Sequence, residues 1–246
     1  GVGVCGPVVT MLGAFAFLVG VGGAPLMSIN MGAGRPEEAR RILANSFLVL
    51  CVCALVLTAA VYPLRRPMLM FFGASDVTYP YAEEYFSIYL AGTAFNLLSL
   101  GMNQFIISQG FAKKGMFSVV LGAALNIVLD PLFIFVFDMG VAGAALATVI
   151  SQLASCVYVL CVLFGRSVQV RIGFGGYSLK LIGRILITGI SPFLIIFVDS
   201  VMIISMNAVL QSYGGPELGD RLITCATIAQ SFMLVVTMPL GGISGG

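Results

Sequence analysis

The 246-residue chain contains no histidine and few charged residues of either sign. Charged residues make up 9% of the sequence, against about 25% in an average soluble domain. Without histidine the chain lacks the commonest proton shuttle and metal ligand, which excludes HExxH metalloenzymes and Ser-His-Asp hydrolases. The net charge of +2 provides no basic excess for nucleic-acid binding. The composition therefore excludes these enzyme classes and nucleic-acid binding. For the chain as a whole we expect no enzyme and no cofactor.

The cysteines show no CxxC spacing, which is the usual pattern of a metal site or a redox pair. All six lie in or beside apolar runs, where free cysteine behaves as a small hydrophobic residue. We expect this packing role for Cys5, Cys51, Cys53, Cys156, Cys161 and Cys225.

Apolar residues are abundant instead, at 59% of the sequence with a mean hydropathy of +1.08. A helix needs about 20 apolar residues to cross a bilayer. The sequence therefore predicts an all-α integral membrane protein with about seven transmembrane helices. Both ends of the sequence fall within apolar stretches, so we expect a fragment. The predicted spans are 3–29, 43–63, 81–108, 117–137, 140–164, 186–210 and 221–243.

The basic residues between these segments concentrate on one side of the predicted membrane. Cytoplasmic loops carry an excess of lysine and arginine, which places loops 30–42, 109–116 and 165–185 in the cytoplasm. Arg65, Arg66 and Arg221 lie on the opposite side. The stretch 165–185 is the longest of the cytoplasmic connections and forms a natural boundary between two helical bundles. It also predicts a short interfacial helix with Leu179, Ile182 and Leu186 on one face.

Asp130 is the charged residue of segment 116–137. An ionised carboxylate inside a membrane costs a few kcal/mol or more unless it is bound or neutralised, so such residues are functional candidates. Pro131 follows directly and predicts a kink or break in the helix. Asn126 lies four residues earlier, on the same helical face, and Thr148 lies among small residues in the next segment. These oxygen atoms predict a site for H⁺ or Na⁺. The alternative is a protonated Asp130 with a structural role.

A second acid, Asp199, lies within the sixth predicted segment. It predicts either a second proton or cation site or a contact to a transported substrate. The alternative is again a structural acid, because Ser200 is its evident polar neighbour.

Four stretches resemble one family of membrane transporters in both order and spacing. They are GVGGAPLMSINMGAGRPEEARRILANS, LMFFGAS, PYAEEYFSIYLAGTAFNLLSLGMNQFIISQG and GAALNIVLDPLFIFVFDMGVAGAALATVISQ. Together they resemble the multidrug and toxic compound extrusion (MATE) family, and in particular its DNA-damage-inducible-like branch. The resemblance covers nearly the whole chain.

The resemblance implies a monomeric, multi-pass plasma-membrane protein of twelve helices in two six-helix lobes arranged as an inverted V. Residues 1–165 correspond to most of the N-terminal lobe, without its first helix. Residues 166–185 correspond to the basic connection between the lobes, and 186–246 to the start of the C-terminal lobe.

The resemblance also implies export of drugs and other organic, often cationic, compounds by antiport with H⁺ or Na⁺. Asn126, Asp130 and Thr148 match the polar network and Na⁺ site of the N-terminal lobe, and the Ala144 carbonyl matches an added ligand. A further acid of that network belongs to the family's first helix, which this sequence does not include. Tyr85, Asn96 and Asn103 are candidates for the cavity lining.

Three other functions compete with multidrug antiport. A lipid-linked oligosaccharide flippase of related fold would need a basic cavity for its anionic substrate, and the interiors of the predicted spans lack lysine and arginine, since Arg221 lies at the very edge of the last one. An intramembrane aspartyl protease needs two carboxylates that share a proton, whereas the two acids here read LDP and VDS, without YD or GxGD motifs. A passive channel is the third alternative.

Overall fold

The computed structural model describes residues 2–72, 74 and 76–244, and its regular structure is helical throughout that part. A π-helical segment, Leu132–Val136, follows the fifth helix directly, and the last helix is interrupted at Gly215, where φ is 65° and ψ is −171°. In chain order the helices are α1 (Val2–Gly32), α2 (Pro36–Phe71), α3 (Tyr79–Ala91), α4 (Thr93–Ser108), α5 (Ala112–Pro131), α6 (Gly140–Phe164) and α7 (Leu179–Ser244).

The predicted all-α membrane class is confirmed. Within the described residues, five helices are long and apolar enough to cross a membrane, and α3 with α4 makes a sixth span if this bent pair counts as one. The segment predicted at 221–243 is helical along its backbone. The side chains of 238–244 lie outside the described residues.

The predicted cytoplasmic loops are shorter than hydropathy indicated. α1 and α2 are separated by residues 33–35 alone, and α5 already begins at Ala112. Hydropathy detects the apolar part of a helix and misses its water-exposed turns. At the start of α2, Pro36 and the acidic pair Glu37 and Glu38 favour such turns at a helix N-terminus. The prediction of a separate interfacial helix is wrong as well. The first turns of α7 contain the residues assigned to it: Leu179, Ile182 and Leu186.

The third predicted segment, 81–108, is two helices that meet at Gly92 with a bend of 55°. A β-carbon on Gly92 would lie 2.6 Å from a methyl group of Val149 on α6. The bend therefore lets α6 pack closely against the backbone at the α3–α4 junction. Hydropathy cannot detect it, because both halves are apolar.

α1 lies at the centre of the structure and packs against α2, α4 and α7. At its crossing with α7, a β-carbon on Gly22 would lie 2.8 Å from the backbone nitrogen of Gly189. Glycine at both positions lets the two backbones touch, which is how helices commonly associate in lipid. Buried apolar residues of the main core include Val19, Leu43, Leu50, Leu97, Phe105 and Leu163.

The connection from α6 to α7, residues 165–178, is held against the helix ends, and we call it the docked loop. The Gln109 amide donates to the Val170 carbonyl at 3.1 Å and accepts from the Val170 N–H at 2.7 Å. The Asn45 amide donates to the Gly176 carbonyl at 3.2 Å and accepts from the Ser178 N–H at 3.0 Å. Alternate apolar side chains of the loop join the core: Val168, Val170 and Ile172.

Arg65, which departs from the predicted charge distribution, has a partner on its own side of the molecule. Its Nε lies 3.0 Å from Oε1 of Glu83 on α3, and its guanidinium carbon lies 4.5 Å from the ring centre of Tyr62. The arginine therefore links α2 to α3, which gives it a structural reason to lie there.

The cysteines are all free. Cys5 and Cys156 are buried as expected, whereas Cys161 and Cys225 lie on exposed helix surfaces. The described residues contain no cluster of three or more His, Cys, Asp or Glu side chains that could hold a metal ion.

Candidate functional site

A polar cavity of about 290 Å³ lies between α4, α5 and α6. Its walls carry amides and hydroxyls inside otherwise apolar helices, and none of the lining residues carries a full charge. The lining residues are Asn96, Ser99, Leu100, Asn103, Ser118, Val119, Gly122, Ala123, Asn126, Thr148, Ser151, Gln152 and Ser155.

Two of the three helices contribute a polar stripe at helical spacing. Residues three or four positions apart lie on the same face of a helix, so a repeat of polar residues at this interval forms one wall. The stripes consist of Asn96, Ser99 and Asn103 on α4, and Thr148, Ser151, Gln152 and Ser155 on α6. The α5 wall carries two polar residues, Ser118 and Asn126, eight positions apart with Gly122 between them.

Asp130 lies beside the cavity and is connected to it through Asn126. The Asn126 amide nitrogen donates to the Asp130 carboxylate at 3.2 Å, one turn away on α5. Asn126 lines the cavity, whereas the half-buried Asp130 does not. The predicted pairing of these two residues on one helical face is therefore present.

The helix changes its hydrogen-bonding pattern immediately after Asp130. Pro131 ends α5, and the N–H of Phe137 donates to the Leu132 carbonyl at 3.0 Å, five residues back. Proline has no N–H to donate, and π-helical turns of this kind occur frequently at functional sites. The predicted break at Pro131 takes the form of a widened turn.

Thr148 and Tyr85 complete the surroundings of Asp130. The Thr148 hydroxyl donates to the Ala144 carbonyl at 2.9 Å, so two predicted ligand groups already contact each other. The Tyr85 phenol lies near Thr148 and within electrostatic range of Asp130. Tyr85 is thus close to the acid and does not line the cavity itself.

Tyr89 joins the α4 and α6 stripes at one end of the cavity. Its ring stacks on Tyr85 with 6.3 Å between the centroids. Its phenolic oxygen accepts from the amide of Asn96 at 2.8 Å and from that of Gln152 at 3.4 Å. A continuous set of polar side chains therefore leads from the surroundings of Asp130 to the predicted residue Asn96.

Ser118 organises the other end of the cavity. Its hydroxyl donates to Oδ1 of Asn103 at 3.1 Å, and its carbonyl accepts from the Ser155 hydroxyl at 2.9 Å. Asn103 is a predicted lining residue, and it is 6% exposed here. These bonds hold α4, α5 and α6 together through side chains that face the cavity.

Two buried oxygens in the cavity wall have no hydrogen-bond partner among the described residues. They are Oγ of Ser151 and Oε1 of Gln152. A buried polar atom without a partner costs about 1–3 kcal/mol. The wall therefore presents unused acceptors to any water, cation or polar ligand group that enters the cavity.

Asp199 is not brought to this site. It is exposed on α7 and is not among the lining residues. Its neighbour Ser200 is buried and donates to the carbonyl of Ile196 within the same helix, at 2.8 Å. The structure therefore separates the two membrane acids that the sequence suggested as functional.

Sequence reasoning missed several lining residues, notably Gln152 and the serines of α4, α5 and α6, as well as Tyr89, which hydrogen-bonds with two lining residues. The lining residues of α4 and α6 had a signal, because polar residues recur there every three or four positions in apolar helices. Asp130 is conspicuous in the sequence because it carries a charge, whereas the neutral residues stand out only through this periodicity.

Bundled apolar helices long enough to cross a bilayer define a multi-span membrane protein. The MatE family model matches residues 1–132, more than half of the chain. The chain belongs to this family, as its sequence motifs predicted.

The curated relatives include the multidrug export protein MepA of Staphylococcus aureus (strain NCTC 8325 / PS 47). It is 26% identical over 210 residues, which are 85% of this chain and 47% of MepA. MepA of Staphylococcus haemolyticus (strain JCSC1435) is also 26% identical, over 85% of this chain and 46% of that protein. The chain thus spans about half the length of the curated relatives it matches.

Solved structures agree with the fold. A multidrug resistance MATE family transporter in an inward-facing conformation matches with a TM-score of 0.90 and 28% identity, over 97% of this chain and 54% of that one. The MATE multidrug transporter DinF-BH in complex with R6G matches with a TM-score of 0.90 and 31% identity, over 98% of this chain and 54% of that one. The predicted branch stays a prediction, which the similarity to DinF-BH supports.

Proposed function

We propose that this chain forms part of a secondary active exporter that moves small organic, often cationic, compounds out of the cell in antiport with H⁺ or Na⁺. The observation that carries the proposal is the pairing of Asp130 with Asn126 beside an open cavity that lies between membrane helices and is lined in part by amides and hydroxyls. Asp130, Asn126, Thr148 and the Ala144 carbonyl form the coupling site, with the two lobes predicted at 1–165 and 186–246.

Binding of the coupling ion changes the charge at Asp130. Within the described residues no Lys or Arg forms an ion pair with this carboxylate, so its negative charge is met only by the Asn126 amide. A proton or Na⁺ neutralises it and removes the cost of a charge at membrane depth. The ion shifts the equilibrium between outward- and inward-facing forms if it binds one of them more tightly. The widened turn after Asp130 is the place where α5 can adjust to that change.

The substrate class rests on the relatives and on the neutral cavity wall. MepA is described as a multidrug export protein, and DinF-BH has been solved with R6G. Among the lining residues here there is no charge to select one ligand by a fixed ion pair. Amides, hydroxyls and apolar carbons instead offer adaptable contacts, which suits a range of small molecules.

The test is efflux of a cationic dye from proteoliposomes that contain the full-length protein, with Na⁺ and pH gradients imposed separately. We expect one gradient to drive saturable export, and Asp130→Asn to abolish that dependence while expression is unchanged. Asp199→Asn is the matched control, because it removes an acid from a membrane helix outside the cavity. Gradient-driven export at the wild-type rate in Asp130→Asn, or its loss in Asp199→Asn alone, would refute the assignment to Asp130.

The same measurement separates the competing functions. A passive channel would give flux that does not saturate and follows only the dye gradient. A flippase for anionic oligosaccharide lipids would favour a basic wall, and the lining residues include no Lys or Arg. A protease would need a second carboxylate beside Asp130, and the cavity wall provides none.

A further inference from the structure

A depression of about 220 Å³ lies where the start of α2 meets the start of α7, outside the cavity described above. We call it the cationic depression. It is bordered by the docked loop and contains three basic side chains and one acid. The lining residues are Glu38, Arg41, Gly176, Ser178, Lys180, Leu181 and Arg184.

The positive charges of Lys180 and Arg184 in the depression are not neutralised by a carboxylate of the described residues. Glu38 forms an ion pair with Arg41 at 3.1 Å. Among the described residues no carboxylate pairs with Lys180 or Arg184, and the first turn of α7 contains no acid. Lys180 and Arg184 are four residues apart on one helix, where like charges destabilise each other. An anion between them would relieve that repulsion.

The wall of the depression is fixed by the fold. The Asn45 amide on α2 binds both the Gly176 carbonyl and the Ser178 N–H, which holds the loop in place. Gly176 has a φ of 71°, and a β-carbon there would lie 2.8 Å from Cγ of Arg41. The arginine side chain therefore runs along the loop backbone. Arg41 on one side and Lys180 and Arg184 on the other converge on a preformed site.

Exposed apolar side chains flank the cations. Phe174 is 76% exposed, Leu179 is 87% exposed and Tyr177 is 50% exposed. Large apolar groups next to lysine and arginine at the end of a membrane helix match the level where lipid headgroups meet acyl chains. Basic pockets between membrane helices on the cytoplasmic side are typical binding sites for anionic lipid headgroups.

We propose that the cationic depression binds the phosphoryl headgroup of an anionic phospholipid in the cytoplasmic leaflet. The phosphate lies between Arg41, Lys180 and Arg184, and the acyl chains lie along Phe174 and Leu179. Because the site joins α2 to α7, a bound lipid connects the N-terminal helices to the start of the C-terminal ones. The proposal depends on the predicted membrane orientation and not on the coupling ion or the exported compound.

Native mass spectrometry of the purified full-length protein tests the site by counting and titrating bound lipid. Phosphatidylglycerol, phosphatidylcholine and inorganic phosphate are added in separate arms. We expect phosphatidylglycerol to bind with at least tenfold higher affinity than phosphatidylcholine. We also expect Lys180→Gln with Arg184→Gln to remove that preference, because both side chains are exposed and Arg41 keeps its packing against the loop.

The matched control is Lys113→Gln with Arg166→Gln, which removes the same charge from the same side of the molecule outside the depression. It is expected to keep the preference for phosphatidylglycerol. An equal loss of the phosphatidylglycerol preference in both double variants would show that diffuse charge attraction causes it. That result would overturn the assignment of lipid binding to the cationic depression. Equal binding of phosphatidylcholine, or occupation of the site by inorganic phosphate with no gain from the lipid, would overturn the proposal of a lipid ligand. Dye efflux by the same samples reports independently on the proposed antiport.

Discussion

At the scale of single residues, two serines on α6 face the same cavity with different hydrogen bonding. The Ser155 hydroxyl donates to the Ser118 carbonyl at 2.9 Å, whereas Ser151 Oγ has no partner among the described residues. We expect Ser155→Ala to lower the free energy of unfolding by about 1 kcal/mol, the usual value of a buried hydrogen bond. Ser151→Ala, its matched control, loses no bond within the described protein and should change stability by less.

Thermal unfolding followed with a thiol-reactive dye measures this difference. The other four cysteines, of which Cys161 and Cys225 are exposed, are first replaced by serine so that they do not react in the folded protein. The buried thiols of Cys5 and Cys156, which are 0% and 3% exposed, then become reactive only when the helices separate. A larger loss of stability in Ser151→Ala than in Ser155→Ala would contradict the prediction. That result would mean that an ordered water or ion at Ser151 holds the helices together.

The residues of the site were only partly predictable from the sequence. Asp130 and Asn126 stood out because a charge and an amide one turn apart are rare in an apolar helix, and the structure pairs them. Gln152 and Tyr89 were missed because neither carries a charge. Gln152 belongs to a polar repeat on α6, whereas the role of Tyr89 depends on the facing helices, which the sequence does not give. Asp199 is likewise an acid in an apolar segment, but it has no amide one turn away, and it lies on an exposed face.

At the scale of helices, the crossing of α1 and α7 depends on glycine. A β-carbon on Gly189 would overlap the Leu18 carbonyl of α1, whereas one on Gly183, earlier in α7, meets nothing within 4 Å. We expect Gly189→Ala to destabilise the protein by about 1–3 kcal/mol, the usual cost of overpacking. Gly183→Ala should be neutral or slightly stabilising, because alanine favours helix.

The same thiol-dye melting curves compare the two variants directly. Equal melting temperatures for Gly189→Ala and Gly183→Ala would contradict the close crossing of α1 and α7. A loss confined to Gly189→Ala would locate the effect at the backbone contact and not in the helix propensity of α7.

Hydropathy predicted which segments are helical and missed how they begin, bend and end. The segment 140–164 coincides with α6, because Met139 and Gly165 bound a single apolar run. Both ends of α2 extend beyond the apolar part, where charged residues continue the helix. The bend at Gly92 and the π-helical segment after Pro131 depend on contacts and hydrogen bonds with other turns, which one-dimensional patterns do not contain.

At the scale of the whole molecule, the distribution of basic residues predicts the membrane orientation. Gln169 in the docked loop and Met139 at the start of α6 are both exposed and lie at opposite ends of that helix. In a cysteine-free background in intact cells, we expect Met139→Cys to react with an impermeant maleimide. Gln169→Cys should react only after the membrane is opened. The opposite pattern would invert the topology, and labelling of both residues in intact cells would show that α6 does not span.

The central position of α1 also has a consequence for synthesis of the protein. Gly22 leaves the ribosome long before its packing partner Gly189 exists. At about 5–20 residues per second, the interval between them is roughly 10–30 s. During that time the glycine face of α1 has only lipid, α2 and α4 to contact. The nascent chain therefore stays in the membrane with α1 not yet packed against α7. During this interval, membrane quality control can act on the unpaired helix.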